Sequence, residues 1–286
     1  MITFAGTSRR ARAAGRHGRL DDGSGHGRGI AARFRAIRPE VRPSRVPGFE
    51  HFYGFGVLTL PFDSGHVLGL RVFPQNDFAP FVAVWHRTPT GEWSMYVDAP
   101  EHDVFCPRFF GPILHDSRPA SITVDWTAPD ELRVRMDRPM LDWTMRVTSS
   151  ARTRLVNAVM PRLPLGLYRR RPVLSAIRAI ADRVLGFGRM DLRGPLPNGQ
   201  VALVQPKRVY LVSGSRALLD GADLGTPVRA ASNPTTGAFR WPARGALAEG
   251  DLYIRKDDPR EYERLIRRFR RTSAASTPRP SVDSAT

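Results

Sequence analysis

The sequence predicts a mainly β protein with a helical insertion, an α+β chain whose antiparallel meander closes into a barrel or folds into two packed sheets. Three observations carry this expectation. First, three runs between residues 122 and 147 alternate strictly: Ile122, Val124 and Trp126 against Thr123, Asp125 and Thr127; Leu132, Val134 and Met136 against Arg133, Arg135 and Asp137; Leu141, Trp143, Met145 and Val147 against Asp142, Thr144 and Arg146. Successive side chains of a strand point to opposite faces, so these runs present one continuous apolar wall. Second, short aromatic and β-branched runs set off by Pro, Gly, Asn and Asp turns recur on both sides of that block, giving about ten strands, a barrel-like count. Third, residues 151–188 replace this pattern with helical periodicity.

Taken in order, residues 1–46 are Arg, Gly, Ala and Ser with almost no large apolar side chain between Phe4 and Phe34. Such a segment buries too little surface to offset its ordering entropy and is expected to be a disordered basic tail. The glycines from Gly23 to Gly29 are low complexity rather than a phosphate loop, since no strand precedes them and no apolar helix follows. Folded structure is expected over residues 47–255. It opens with strands at 51–60, 67–73, 81–87 and 93–98, in the last of which Trp93, Met95 and Val97 alternate with Ser94, Tyr96 and Asp98. Residues 99–118, with Pro100, Pro107 and Pro112, read as a long loop.

Within the insertion, Val173, Leu174, Ile177, Ile180, Ala181, Val184 and Leu185 follow one helix face. Pro172 suits its first position, and Gly186 and Gly188 suit a left-handed end. Upstream, Pro161 and Pro164 divide the segment into short kinked helices. From Arg152 to Arg178 every charge is positive, and no acidic residue follows until Asp182. Arg stems lie along apolar surface while the guanidinium stays wet, so the block suits a solvated face of packed helices, or a cover over a hydrophobic ligand or anionic headgroups. Strands are expected again at 189–193, 201–205, 208–213 and 216–219, then a Pro/Gly-rich covering segment at 226–248 and an edge strand at 249–255. Residues 256–286 read as a basic helix at 259–271 and a disordered tail.

The chain has 286 residues, 41% of them hydrophobic, enough for one large core or two modest ones. Its formal charge is +17, from 44 Lys and Arg against 27 Asp and Glu. Eleven Arg against Asp21, Asp22 and Glu40 in residues 1–46 place much of the excess in a tail. Basic tails attract anionic membrane, and nucleic acid, without sequence specificity. No helix-turn-helix, zinc-finger or aromatic RNA-binding signature accompanies them. Cys106 is the only cysteine, which excludes an intrachain disulfide and suits a reducing interior. No apolar run reaches the roughly 18 residues of a membrane span. The early arginines lack the apolar region that follows in an export signal. The expectation is a cytoplasmic protein with peripheral membrane contact open to it.

No catalytic signature stands out. His51, His66, His86, His102 and His115 lie near Cys106 in sequence, but His102 and Cys106 have no second pair at metal-ligand spacing, so no metal or cofactor is expected. Triads drawn from Cys106, His102 and Asp98, or from Ser94, His86 and Asp103, are defined only by geometry. Gly54 and Gly56, like Gly186 and Gly188, lack the third glycine of a dinucleotide site and read as strand bends or helix caps. Lys207 is in phase with Val209 and Leu211 on a strand. A Lys forced into an apolar wall loses its proton readily and can form a Schiff base, whereas a strand-end ammonium reaches solvent.

At DLRGPLPNG (191–199), VYLV (209–212), DGADLG (220–225) and WSMYVD (93–98), the chain resembles actinobacterial proteins of unassigned function over about residues 52–225. In strand count and helical insertion it is loosely similar to the calycin-like families that include lipocalins and carotenoid hydratases. The resemblance carries over no catalytic residue; it implies an apolar cavity for a lipid or isoprenoid. The expected function is therefore binding of a hydrophobic small molecule in a β-barrel cavity, with cofactor-free acid–base chemistry as an extension. Phe81, Trp85, Trp126, Met136, Trp143 and Met145 would line the site, Tyr96 and Arg108 would orient the ligand, and residues 151–188 would cover it. His86, Asp98 and Lys207 are the candidates for proton transfer. The alternative is a membrane-surface or nucleic-acid-associated scaffold acting through the Arg-rich tails.

Overall fold

In the computed structural model, which describes residues 29–99 and 101–275, ten principal strands form one strongly curled sheet. They are β1 (Phe49–Val57), β2 (Val67–Asn76), β3 (Phe81–Arg87), β4 (Trp93–Asp98), β5 (Leu114–Pro119), β6 (Ile122–Ala128), β7 (Glu131–Met136), β8 (Leu141–Thr148), β9 (Val201–Leu219) and β10 (Ala246–Arg255). Across the sheet the order is β5, β4, β3, β2, β1, β10, β9, β8, β7, β6. Principal neighbours are antiparallel except β4 and β5, which are parallel. The helices are α1 (Ile30–Arg35), α2 (Cys106–Phe110), α3 (Ala151–Val159), α4 (Leu165–Tyr168), α5 (Arg171–Leu185) and α6 (Pro259–Ala275).

The chain is mainly β, as the alternation required, but the barrel does not close. The two edge strands, β5 and β6, are consecutive in the chain. Where the chain crosses between them, Ala120 N–H donates to Val97 O at 3.1 Å and Ile122 N–H to Asp98 Oδ2 at 3.0 Å. No ladder joins β5 to β6, and the sheet stays an open half-barrel. β5 ends at Pro119, which has no N–H to extend a ladder.

Curling folds the apolar face onto itself. Val57, Leu68 and Val84 from one half meet Trp126, Val134, Trp143 and Met145 from the other in a single core, and Trp143 and Met145 are completely buried. Phe34 of α1 enters the same core, its ring stacked on Trp126 with centroids 5.6 Å apart and 4.6 Å from Phe55. Folded chain therefore begins before Val46, because one aromatic side chain with a place in the core is enough to fix a short helix. The disorder expected for residues 1–28 and 276–286 lies outside the described residues.

The outer face carries two further cores. Over β2 to β4 it is aromatic: Phe73, Phe81, Trp85 and Trp93 pack with Phe109 and Phe110 of α2, Trp241, and Phe269 of α6. The segment expected as a long loop forms α2 and β5 because Phe105, Phe109 and Phe110 have this surface to bury against. Over β9 and β10 the cover is the helical insertion. β9 is one strand of 19 residues where three runs were expected, and an irregularity between Pro206 and Arg208 absorbs the missing proline donor. β10, expected at an edge, sits centrally between β1 and β9. Its Glu249 and Asp251 are both buried and paired.

A buried ionic network ties α2 and α6 to the sheet. Glu50, with no exposed surface, accepts from Arg108 Nη1 and Nη2 at 3.2 and 2.6 Å. Burial raises the Glu50 pKa while Arg108 opposes the rise. Arg108 also lies over the Phe109 ring at 4.2 Å, and Tyr262 of α6 donates to Asp77 Oδ2 at 2.7 Å. Breaking a buried pair strands one charge and costs about 3–5 kcal/mol, more than removing both partners. In guanidinium unfolding, Arg108→Met is expected to lose about 3 kcal/mol and the Glu50→Leu/Arg108→Met double variant clearly less. Equal losses would show that the stranded carboxylate is not the cause.

Candidate functional site

Between the outer face of β1, β9 and β10 and the helical insertion lies a cavity of about 750 Å³ with almost wholly apolar walls. The roof follows from helical periodicity. Ile177, Ala181 and Val184 of α5, Leu155, Val156 and Val159 of α3, and then Met160 and Leu163 all line the space. The floor follows from strand periodicity. Register pairs Ala248 with Gly56 and Gly250 with Gly54, and Ala246 lies two residues before Ala248. Alternate positions share a face, so the floor is nearly bare of side chains and the helices span a hollow instead of interdigitating with it. Gly54 and Gly56 are also required by the coil of β1 over β2, since a Cβ on either would collide with the carbonyl of Val72 or Leu70.

Few polar contacts hold the roof in place. Asn157 of α3 accepts from Val209 N–H at 2.7 Å and donates to Val209 O at 3.0 Å. Ser150 caps α3 by accepting from Thr153 N–H at 3.1 Å. α5 ends at Gly186 in the left-handed conformation, φ 72°, as its sequence implies. Beyond it, buried Asp191 receives Arg178 of α5 and two donors of the Arg240 side chain. Burial would raise the Asp191 pKa, but Arg240 and Arg178 outweigh it and hold the carboxyl below its usual range. At the mouth, Leu155, Val159 and Ile180 are 69%, 48% and 51% exposed, so the opening itself is apolar.

A second, polar groove lies against the same three strands, beside the segment that follows α1. Lys207 Nζ is 2.6 Å from Asp251 Oδ2, and His51 Nε2 is 2.8 Å from Asp251 Oδ1. Tyr53 O–H donates to Glu249 Oε1 at 2.7 Å, and Arg208 Nη1 lies 3.2 Å from the same carboxylate. Burial tends to raise Asp251, but His51 and Lys207 overcome it and hold the carboxyl low; burial and Glu249 push the Tyr53 hydroxyl up. Each carboxylate already has two partners, so the groove is a satisfied network and offers no idle base.

Of the residues singled out from sequence, Trp126, Met136, Trp143, Met145 and Tyr96 fill the inner core and line neither space. Phe81 and Trp85 belong to the outer aromatic core beside a void of about 30 Å³. Arg108 holds Glu50, and Asp98 accepts the Ile122 amide at the sheet edge. Lys207 is engaged with Asp251 on a polar wall, without the apolar surroundings that a Schiff-base amine requires. Cys106 is buried, its thiol pushed up to about 11 by burial, and His102 pairs with Asp103, so no nucleophile–base pair forms there. Among the described residues no three His, Cys, Asp or Glu side chains converge as a metal site needs. The helical cover was read from sequence; the floor was missed, although Gly and Ala at every second position of two strands were its signal. Comparison with protein families, curated proteins and solved structures returns no match to this chain.

His86 Nε2 lies 2.9 Å from His66 Nδ1, and burial lowers the His86 pKa to about 4. Between about pH 6.5 and 4 the unfolded chain takes up a proton that native His86 refuses, so its contribution is complete above this window and lost as pH falls through it. A loss of about 1–2 kcal/mol is expected between pH 7 and 5. Urea midpoints should show that loss reduced in His86→Gln, which cannot titrate; an unchanged slope would assign it to other groups.

Proposed function

We propose that the chain binds a hydrophobic small molecule of lipid or isoprenoid type between the outer face of the sheet and the helical insertion, with residues 151–188 as its cover. The observation that carries this reading is the cavity of about 750 Å³ under amphipathic helices, apolar on roof, floor and mouth. Its volume falls in the range of roughly 300–1,000 Å³ common to small-molecule sites. The inner face, where the sequence placed the ligand, is filled by its own Trp and Met side chains, so the proposed site is on the opposite face. His86, Asp98 and Lys207 are absent from its walls, which favours binding over acid–base catalysis.

One observation supports membrane contact as the ligand's route. Leu155, Val159 and Ile180 surround the mouth with Arg152 and Arg183 beside them, the apolar-plus-Arg pattern of surfaces that rest on anionic headgroups. No helix among the described residues is long and apolar enough to cross a membrane.

The neutral dye Nile red tests the site. Purified full-length chain is expected to bind it with enhanced, blue-shifted fluorescence. Ala181→Trp, which projects a large ring from α5 into the hollow, should weaken binding at least tenfold and shift unfolding free energy by no more than about 1 kcal/mol, since space is available. Dye binding that Ala181→Trp leaves untouched would remove the cavity as the site. For the route, Ile180→Glu should reduce co-sedimentation with phosphatidylserine vesicles; equal sedimentation would exclude the mouth as the contact.

A further inference from the structure

One side chain in the cavity wall is out of keeping with the rest. Arg71 of β2 is 5% exposed and lines the apolar cavity, with its guanidinium 4.3 Å from the Trp85 ring centre and 4.9 Å from that of Trp241. Nη1 donates to Val57 O and Leu70 O at 2.7 and 3.0 Å, and Nη2 donates to Leu58 O at 3.1 Å. A guanidinium has five N–H donors, so Nε–H and one hydrogen of Nη2 have no acceptor among the described residues. These are the atoms through which Arg133 grips Asp142, at 2.8 and 2.5 Å, elsewhere in the chain.

Four of the five buried carboxylates among the described residues have a cation within 3.2 Å, and the fifth, Asp77, has Lys256 at 3.9 Å and accepts from Tyr262. Glu50 has Arg108, Asp191 has Arg178 and Arg240, Glu249 has Arg208, and Asp251 has Lys207. Arg71 has no such counterpart among the described residues: its ionisable neighbour, the Cys106 thiol, is held neutral by burial, and burial lowers the Arg71 pKa to about 10. A desolvated cation with spare donors is costly unless an anion completes it. Three carbonyls and two indole faces hold this one in place without neutralising it.

Building on the cavity reading above, we propose that the ligand is a long-chain monocarboxylic acid, its carboxylate taken bidentately by Nε and Nη2 of Arg71 and its tail lying under α3 and α5. Two parallel N–H groups match two carboxylate oxygens. A phosphate head would leave further oxygens facing apolar wall, because Glu249 and Asp251, at the β10 positions that face the polar groove, are acceptors engaged with Arg208 and Lys207, and Arg152 and Arg183 lie at the mouth.

The test is displacement of Nile red from the delipidated full-length chain by laurate and by lauryl alcohol, which share a tail and differ in the head. Laurate is expected to displace the dye at least tenfold more effectively at pH 8, and Arg71→Met to abolish that preference while the alcohol competes as before. Equal displacement by acid and alcohol in the parent chain overturns the carboxylate assignment and leaves the cavity reading standing. Absence of dye binding and of displacement by either compound overturns both. The parent-chain comparison decides even if Arg71→Met does not fold. Arg71→Lys, which keeps the charge without the fork, should retain only part of the preference; a full preference there would also overturn the bidentate assignment.

Discussion

β10 is the strand on which the rest of the structure depends, because its two faces impose opposite demands at the centre of the sheet. Toward the polar groove it carries Glu249 and Asp251, both buried, and buried carboxylates persist only with donors around them. β9 supplies Lys207 and Arg208, and β1 supplies His51 and Tyr53, so three strands are joined through side chains as well as through their ladders. Toward the helices it carries Ala246, Ala248 and Gly250, against Gly54 and Gly56 of β1, and leaves a gap where a sheet normally offers side chains for helices to grip. The ionic groove and the apolar hollow are thus two consequences of a single alternation.

That alternation explains what the sequence revealed and what it concealed. Strict apolar–polar patterning in β6, β7 and β8 made their register and buried face legible, and the 3.6-residue period with Pro172 and Gly186 located α5. β10 was misplaced at an edge because charged residues read as solvated until their partners are known, and those partners are remote in sequence: Tyr53 and Glu249 are 196 residues apart. The half-barrel's failure to close was equally hidden, since a count of strands says nothing about Pro119 or the parallel pairing of β5. Candidate site residues chosen for bulk fall in the inner core or, for Phe81 and Trp85, in the outer aromatic core, where bulk serves to fill space. The signal for the hollow lay in the absence of bulk, at Gly54, Gly56, Ala248 and Gly250.

The division between a filled inner face and a hollow outer one also separates stability from the site. Trp126, Trp143 and Met145, with Phe34 of α1, pack in the inner core, and no side chain of the helical insertion is among them. The cover is attached at a few points, chiefly Asn157 to Val209 and Arg178 to Asp191, and several of its apolar side chains remain in water. Beneath these anchors Tyr168, Leu174, Ile177 and Leu185 are buried against the sheet, so the cover is packed along its base and open at its mouth.

Arginine makes up 42 of the 44 basic residues, a bias that by itself suggests composition rather than selection, but the buried positions separate the two. Arg152 and Arg183 at the mouth use length and charge, which Lys supplies equally well. Arg108 with two bonds to Glu50, Arg240 with two to Asp191, and Arg71 between two indoles all use the planar fork or the flat cationic face, which an ammonium lacks. Two of these three forks close on a carboxylate of the chain. The third, Arg71, has the same geometry and no carboxylate, and it borders the one large apolar space that no side chain fills. A carboxylate missing here among the described residues is the feature that a carboxylate-bearing occupant would supply.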